Sequence, residues 1–423
     1  MKQKISFSPP DITDMEIAAV EEVLRSGWIT TGAKVKELEG KLADFLQVHK
    51  VVCLASATSA EELIFRILGI GPGDEVIVPA YTYTASAAAA IHVGAKVVFV
   101  DAQLGSTEMD YEQLETAITP ATKAIVSVDL GGVLCDYKKI FSVVEKKKEI
   151  FVPLHNCNDV LSSLGSRIQE TIGRIVVIAD CAHALGSYQI ENGKKIMAGA
   201  IADFSFFSFH AVKNLTTGEG GAACWKSIHG VSDEELYYFF QLLSLHGQSK
   251  DAWAKIQPGA WEYDIVGPWY KCNMTDIMAA IGIKQLERYK ILLQRRKEII
   301  EVYDNFCDKL GIKHIHHFSP VQYSCGHLYL THIPGIHDRQ RREIIRVMAE
   351  KGIMCNVHYK PLPMMTAYHL LGETIENYPN SYALYENEIS LPLHTLLRDE
   401  EIEYLLGCLK EAVKPYFTKN NRH

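Results

Sequence analysis

No stretch of the chain approaches the roughly 20 consecutive apolar residues that a membrane-crossing helix needs. The best candidate, Ala85 to Val93, is short and carries His92. The opening segment MKQKISFSPPDITDMEI has no apolar run either, so no secretory leader is expected. Cys-x-x-Cys pairs are absent: the ten cysteines are scattered, and Cys53, Cys181 and Cys224 sit in apolar runs. That distribution argues against a zinc or disulfide framework and predicts reduced, buried thiols in a cytoplasmic protein. A basic excess is missing too. Forty-three basic against fifty-one acidic residues give a net charge of −8, which argues against a general binder of nucleic acid or membrane surface. There is no internal repeat and no low-complexity tract. What is present is an ordinary globular composition, 48% hydrophobic and 22% charged, spread over 423 residues. A single core stops growing at about 250–300 residues, so two domains are expected.

The first half alternates apolar strands with helical patterns. Strand candidates are Val51–Leu54, Val76–Val78, Val97–Val100, Ala124–Val128, Ile175–Ala179 and Phe204–Ser208; Ser59–Leu68 and Thr84–His92 read as helices. Continuous apolar strands separated by helices mean an α/β fold with a mostly parallel sheet covered on both faces. The rhythm breaks between Cys135 and Arg174, where about forty residues stand in place of one helix; residues 135–173 read as a solvated insertion at the sheet's periphery. From Thr275 to Leu310 the residues Ile277, Ile281, Leu286, Leu293, Ile300 and Tyr303 share one helical face, which predicts a long connecting helix broken once. Beyond it lie a strand candidate at His327–His332, a helix at Asp338–Lys351 and terminal helices from Tyr382 and Asp399. The expected organisation is therefore a large domain over 1–270 and a connecting helix with a smaller α+β domain over 271–423.

Three segments bring chemistry to one edge of this sheet. In SFFSFHAVKNLTTGEGGAACW (Ser205–Trp225) a strand ends at Ser208, and Lys213 follows in a loop poor in charge. A lysine there can lose its proton by desolvation and attack a carbonyl, or it is simply a surface lysine before a glycine turn. In VVIADCAHALGS (Val176–Ser187) Asp180 closes a strand at the carboxyl edge, where open α/β sheets place ligands. It either caps the next helix or meets a cationic partner such as a protonated pyridine nitrogen. His183 faces the same site or fills the core. In LASATSAEEL (Leu54–Leu63) small residues open a helix whose free N–H groups suit a phosphate, and Thr58 with Glu61 fits a capping box. A phosphate cradle, a carboxylate and a lysine together suggest pyridoxal 5′-phosphate (PLP), which offers a phosphate, a ring nitrogen and an aldehyde.

SFHAVKNLTTGEGG, IADCAHALGS, GIGPGDEVIVPAYTYTASA, LRSGWITTG (Leu24–Gly32) and NMTDIMAAIGIKQL (Asn273–Leu286) resemble the DegT/DnrJ/StrS aminotransferases, PLP-dependent sugar aminotransferases of fold type I. Five separated motifs occur in that family's order, from about Ile5 to Leu406. The resemblance implies a large domain with a mostly parallel seven-stranded sheet, plus a smaller C-terminal α+β domain. It implies that Lys213 binds the cofactor's aldehyde, Asp180 holds the ring nitrogen and His183 lies near the phenolic oxygen. Tyr83 would stack on the ring, a buried core tyrosine being the alternative. Ala57, Thr58 and Ser208 would contact the phosphate, and Asn273 would reach the phosphate of a neighbouring subunit, making a homodimer with shared sites. Thr31, His327, His358 and Tyr359 would fall near the substrate, with core packing the rival for His327 and for His358–Tyr359.

Three departures from the family pattern stand out: Ala57 in place of glycine, Trp269 and Lys271 before Asn273, and the 135–173 segment. The implied activity is ping-pong transfer of an amino group, from L-glutamate, to a nucleotide-linked keto-sugar. An inosose-type acceptor, a dehydratase and a non-catalytic PLP-binding regulator are the alternatives. Lys213 speaks against the dehydratase, because family members turned to dehydration carry histidine there.

Overall fold

The computed structural model describes residues 4–155, 158–250 and 262–420. Nine strands come first: β1 (Val51–Leu54), β2 (Glu75–Pro79), β3 (Lys96–Val100), β4 (Thr122–Val128), β5 (Val176–Asp180), β6 (Tyr188–Glu191), β7 (Lys194–Met197), β8 (Phe204–Ser208) and β9 (Gly221–Trp225). Seven of them form one sheet in the order β1-β9-β8-β5-β4-β2-β3. Pairing is parallel from β8 through β5, β4 and β2 to β3, while β9 runs antiparallel to both β1 and β8. The expected α/β class with a mostly parallel seven-stranded sheet is the observed one. The strand candidates all match; β9 is additional. Its small residues (Gly221, Ala222, Ala223) lack the branched run that marks a buried strand.

Both faces of the sheet are covered. Alternate residues along each strand enter opposite cores: Val51, Cys53, Ile125, Val177 and Ala179 on one side, Val52, Leu54, Ala124, Val126, Val176 and Ile178 on the other. This two-sided burial is why the strands read as unbroken apolar runs. Residues 135–173 do not behave as the expected solvated insertion. They form helices Tyr137–Lys146 and Val160–Ile172. The first buries Tyr137, Ile140 and Val144 in one core, and the second buries Leu164 and Ile168 in the other. Each helix has an apolar stripe, but the polar links between them conceal it in the sequence. Residues 156 and 157 of this segment lie outside the described ones.

The connecting helix is two helices, Asp276–Glu287 and Tyr289–Leu310, with the break at Arg288. There the Arg288 guanidinium pairs with Asp11 at 2.9 Å and Glu16 at 2.8 Å, tying the N-terminal segment to the joint. Five short strands follow: β10 (Lys313–His314), β11 (Phe318–Ser319), β12 (Gln322–Tyr323), β13 (Tyr329–His332) and β14 (Glu388–Leu391). β10, β13 and β14 form a three-stranded antiparallel sheet, and β11 and β12 extend the β6–β7 hairpin into a four-stranded one. A third core packs Ile389 and Leu391 of β14 against Ile299 and Tyr303 of the long helix, the helix Asp338–Glu350 and the C-terminal helix Asp399–Asn420. Among the described residues no helix is long and apolar enough to cross a membrane.

Candidate active site

The carboxyl ends of β1, β5 and β8 lie at one edge of the sheet, and each delivers one chemical group. β5 ends at Asp180, which is buried. Its Oδ2 accepts from Ser86 Oγ at 2.7 Å and its Oδ1 from the Ala182 backbone N–H at 3.0 Å. Burial raises its carboxyl above the ordinary range, while those two donors and Lys213 pull it back. Two neutral donors do not replace the hydration of a buried carboxylate, so the group is built for a cationic partner.

After β8 the chain turns at His210 and presents Lys213, whose ammonium is pushed down to about 8, chiefly by desolvation, with Asp180 opposing the shift. An amine near neutrality at pH 8 is a usable nucleophile and base. A small cavity lined by His183, Ser208, Lys213, Asn214 and His327 lies at this point.

β1 runs into the helix Ala57–Ile67. Its cap is Ser56, which accepts from the Ser59 N–H at 3.0 Å. The expected Thr58–Glu61 capping box is not formed, because the helix begins earlier, at Ala57. Glu61 instead faces inward, fully buried, with neither carboxylate oxygen partnered, and its carboxyl is held well above the usual range by burial and by Asp180. The helix start leaves Ala57 and Thr58 at its N-terminus, where unpaired N–H groups and the helix dipole favour an anion. β9 passes so close that a Cβ on Gly221 would stand 2.3 Å from the Ser56 carbonyl carbon.

The other expected residues separate into two groups. His183, His327, His358 and Tyr359 gather around Lys213. His183 Nδ1 accepts from the Gly131 N–H at 3.2 Å, and its Nε2 faces the Tyr359 hydroxyl at 3.3 Å. The His327 ring lies 4.3 Å from that of His183 and is fixed by Asn214 Oδ1 at 3.0 Å from Nδ1. Burial and the Lys213 charge hold all three imidazoles below their ordinary values, His358 at about 4. Tyr83 is 58% exposed, not a core residue, with its ring 5.9 Å from that of Tyr359.

Thr31 and Asn273 form the second group. Thr31 Oγ1 donates to the Met274 carbonyl at 2.6 Å and accepts from Asn273 Nδ2 at 2.5 Å, and Lys271 donates to Asn273 Oδ1. Backbone pairing to Leu54 and Ala55 sets this cluster beside the end of β1.

Several participants were not visible in the sequence. Ser86 is one of many small residues in TASAAAA, and nothing local marks it as the donor to Asp180. Asp129, at the end of β4, accepts from Tyr137 Oη and the Cys135 N–H, each at 3.0 Å, and burial raises it to about 7. Glu388 and Ser390 hold His358, as described below. For β14 the signal was the alternation Glu-Ile-Ser-Leu, which places two polar side chains on one face of a strand.

The residues present fit PLP: a desolvated amine for its aldehyde, a buried carboxylate that needs a cation for its ring nitrogen, and a helix N-terminus for its phosphate. Fold and site together define a PLP-dependent enzyme of fold type I. Residues 10–175 and 166–410 match the DegT/DnrJ/EryC1/StrS aminotransferase family. Spr1654 of Streptococcus pneumoniae, assigned as a sugar aminotransferase and solved in its PMP form, superposes with a TM-score of 0.91 at 53% identity, covering 97% of this chain and 100% of that one. Its PLP form superposes equally well, at 0.91 and 51% identity over 98% and 99% of the two chains. The spore coat polysaccharide biosynthesis protein SpsC of Bacillus subtilis is 32% identical over 419 residues, 97% of each chain. The UDP-4-amino-4-deoxy-L-arabinose–oxoglutarate aminotransferase of Shewanella sediminis is 32% identical over 412 residues, 96% of this chain and 97% of its own. The chain belongs to the DegT/DnrJ/EryC1/StrS family and is a PLP-dependent aminotransferase.

Proposed function

We propose that this enzyme moves an amino group from L-glutamate to the ketone of a nucleotide-linked keto-hexose, by a ping-pong sequence, in the cytoplasm. The observation that carries the reading is the pairing of a desolvated Lys213 with a buried, strand-ending Asp180. When bound, PLP supplies the electron sink for the carbanion formed at the donor's Cα. Lys213 takes the proton from that Cα and returns it at the cofactor's C4′, a role suited to an amine held at about 8. Asp180 keeps the ring nitrogen protonated, and Ser86 fixes the carboxylate in place. Tyr83 would stack on the ring, and Ala57, Thr58 and Ser208 would hold the phosphate. His327, His358 and Tyr359 line the sugar side. Residues 1–270 form the large cofactor-binding domain, and 271–423 the connecting helix and the small C-terminal domain.

The names of two relatives support the substrates. One acts with oxoglutarate and a UDP-linked amino sugar, the other in polysaccharide biosynthesis. The enzyme works as a homodimer in which Asn273 serves the partner's phosphate. Adding L-glutamate to the holoenzyme should shift its visible absorbance band. Product mass spectrometry over a panel of keto-sugar nucleotides should then show amination in wild type and none in Lys213→Ala. A band indifferent to glutamate, or an active Lys213→Ala, would refute the reading.

A further inference from the structure

β14 alternates. Ile389 and Leu391 enter the third core, and Glu388 and Ser390, both fully buried, point the other way, toward the large sheet. On that side Glu388 Oε2 accepts from the His358 backbone N–H at 2.9 Å, and Glu388 Oε1 lies 2.6 Å from Ser390 Oγ. Ser390 Oγ is in turn 2.8 Å from His358 Nδ1. Tyr81 Oη donates to the His358 carbonyl at 2.7 Å, and the Phe7 ring stacks on the imidazole at 5.4 Å, so both the backbone and the ring of His358 are held. His358 adjoins the site: its ring lies 4.9 Å from that of Tyr359, which meets His183, and the Lys213 charge acts on it.

A hydroxyl between a carboxyl group and an imidazole can face either way. With Glu388 ionised, Ser390 donates to the carboxylate, His358 Nδ1–H donates to Ser390, and Nε2 carries the lone pair. When a proton reaches Nε2, the Nδ1 proton passes to Ser390 Oγ and the Ser390 proton passes to Glu388 Oε1. The balance is one proton in at Nε2 and one neutral carboxylic acid at the far end, with the imidazole uncharged before and after.

We propose that Glu388, Ser390 and His358 form a one-proton relay, in which His358 Nε2 exchanges a proton with the reacting groups and Glu388 stores it. The proposal rests on the reading of His358 as a substrate-side residue. Amination of a ketone needs such a device, because the attacking amine sheds protons and the oxygen that departs as water takes them up. The relay carries one of these protons between the two steps. Burial holds Glu388 at about 8 and His358 at about 4, so the proton rests on the carboxylate and not on the ring. The groups around Glu388 leave that order in place. Arg341, from the helix Asp338–Glu350, favours the anion; Tyr81, Cys355 and Tyr359 are neutral; His332, its cross-strand neighbour on β13, is held below its ordinary value. Glu388 is a positioning residue that acts through His358.

The test uses the full-length holoenzyme and two readouts. A pH titration by difference infrared spectroscopy should show a buried carboxylic-acid C=O band that Glu388→Gln removes. Its midpoint should move in Ser390→Ala and return in Ser390→Thr. With the aminated keto-sugar identified, Ser390→Ala should lower kcat about tenfold or more, with KM little changed, and Ser390→Thr should recover most of the loss. A midpoint that ignores Ser390→Ala overturns the relay even if amination proceeds. A kcat loss in Ser390→Ala that Ser390→Thr fails to recover overturns it too, and because the infrared midpoint needs no keto-sugar, failure of the substrate reading is read separately.

Discussion

Glu61 is the least conventional residue in the structure: an acid in an apolar interior with no hydrogen-bond partner on either oxygen. It is carried as the neutral acid, and its folded value lies well above the ordinary 4.5. The unfolded chain releases that proton as pH rises through 4.5, whereas the folded chain keeps it. The residue's unfavourable contribution is therefore small at pH 4 and grows toward pH 8. Glu61→Leu should raise stability by about 1–3 kcal/mol at pH 8, with a smaller gain at pH 4. Denaturant unfolding at the two pH values checks both magnitude and sign; equal gains would mean that folding leaves the titration of Glu61 unshifted. The acid lies one helical turn from the phosphate cradle, and the charge of Asp180 helps to keep it neutral.

Residues bonded to their own sequence neighbourhood were legible, and residues whose partners come from afar were not. Lys213, Asp180 and Ala57 could be placed at one sheet edge because strand ends are marked by the pattern itself. Glu61 was misread as a cap partner, since S/T-x-x-E spacing says nothing about which residue starts the helix. Ser86, Asn214, Glu388 and Ser390 acquire meaning only through contacts spanning 94, 113, 30 and 32 residues.

Elements divide the same way. The parallel strands declared themselves by apolar runs, whereas β9, made of small residues, did not. Its smallness is itself a requirement of the site. Gly221 lies against the Ser56–Ala57 peptide, where an added Cβ would come within 2.4 Å of the Ala57 nitrogen. The backbone that must move is the first turn of the cradle helix. Gly221→Ala should therefore weaken PLP binding at least tenfold while the protein still folds, because β9 keeps its ladder to β1 and β8. Equilibrium dialysis of the variant measures it, and unaltered affinity would place the phosphate elsewhere. The two helices of residues 137–172 make a complementary case. Their apolar stripes were hidden by the polar links, and their assignment to opposite faces of one sheet depends on the route of the chain between them.

For the molecule as a whole, the cluster Thr31–Asn273–Lys271 bears on assembly. Within its own chain Asn273 bonds Thr31, beside the end of β1, and not the group around Lys213. If it serves the partner's cofactor, two separately defective chains should rescue each other. Mixing inactive Lys213→Ala with Asn273→Ala under conditions of subunit exchange should restore activity in the mixed dimer, because one of its two sites is intact. Persistent inactivity, with exchange confirmed by native mass spectrometry, would show the sites to be self-contained.

The segment around Ile5 is tied to the smaller lobe. Ile5 pairs with Gly352 and Met354 through backbone bonds of 2.8 and 3.0 Å and packs in a core otherwise built from residues beyond 298. Ile5 is made before every residue it docks on, so this contact can form only after the downstream core has been synthesised. Closure of the smaller lobe thereby waits on residues more than three hundred positions downstream, and a chain interrupted before them leaves the backbone of Ile5 without its partners.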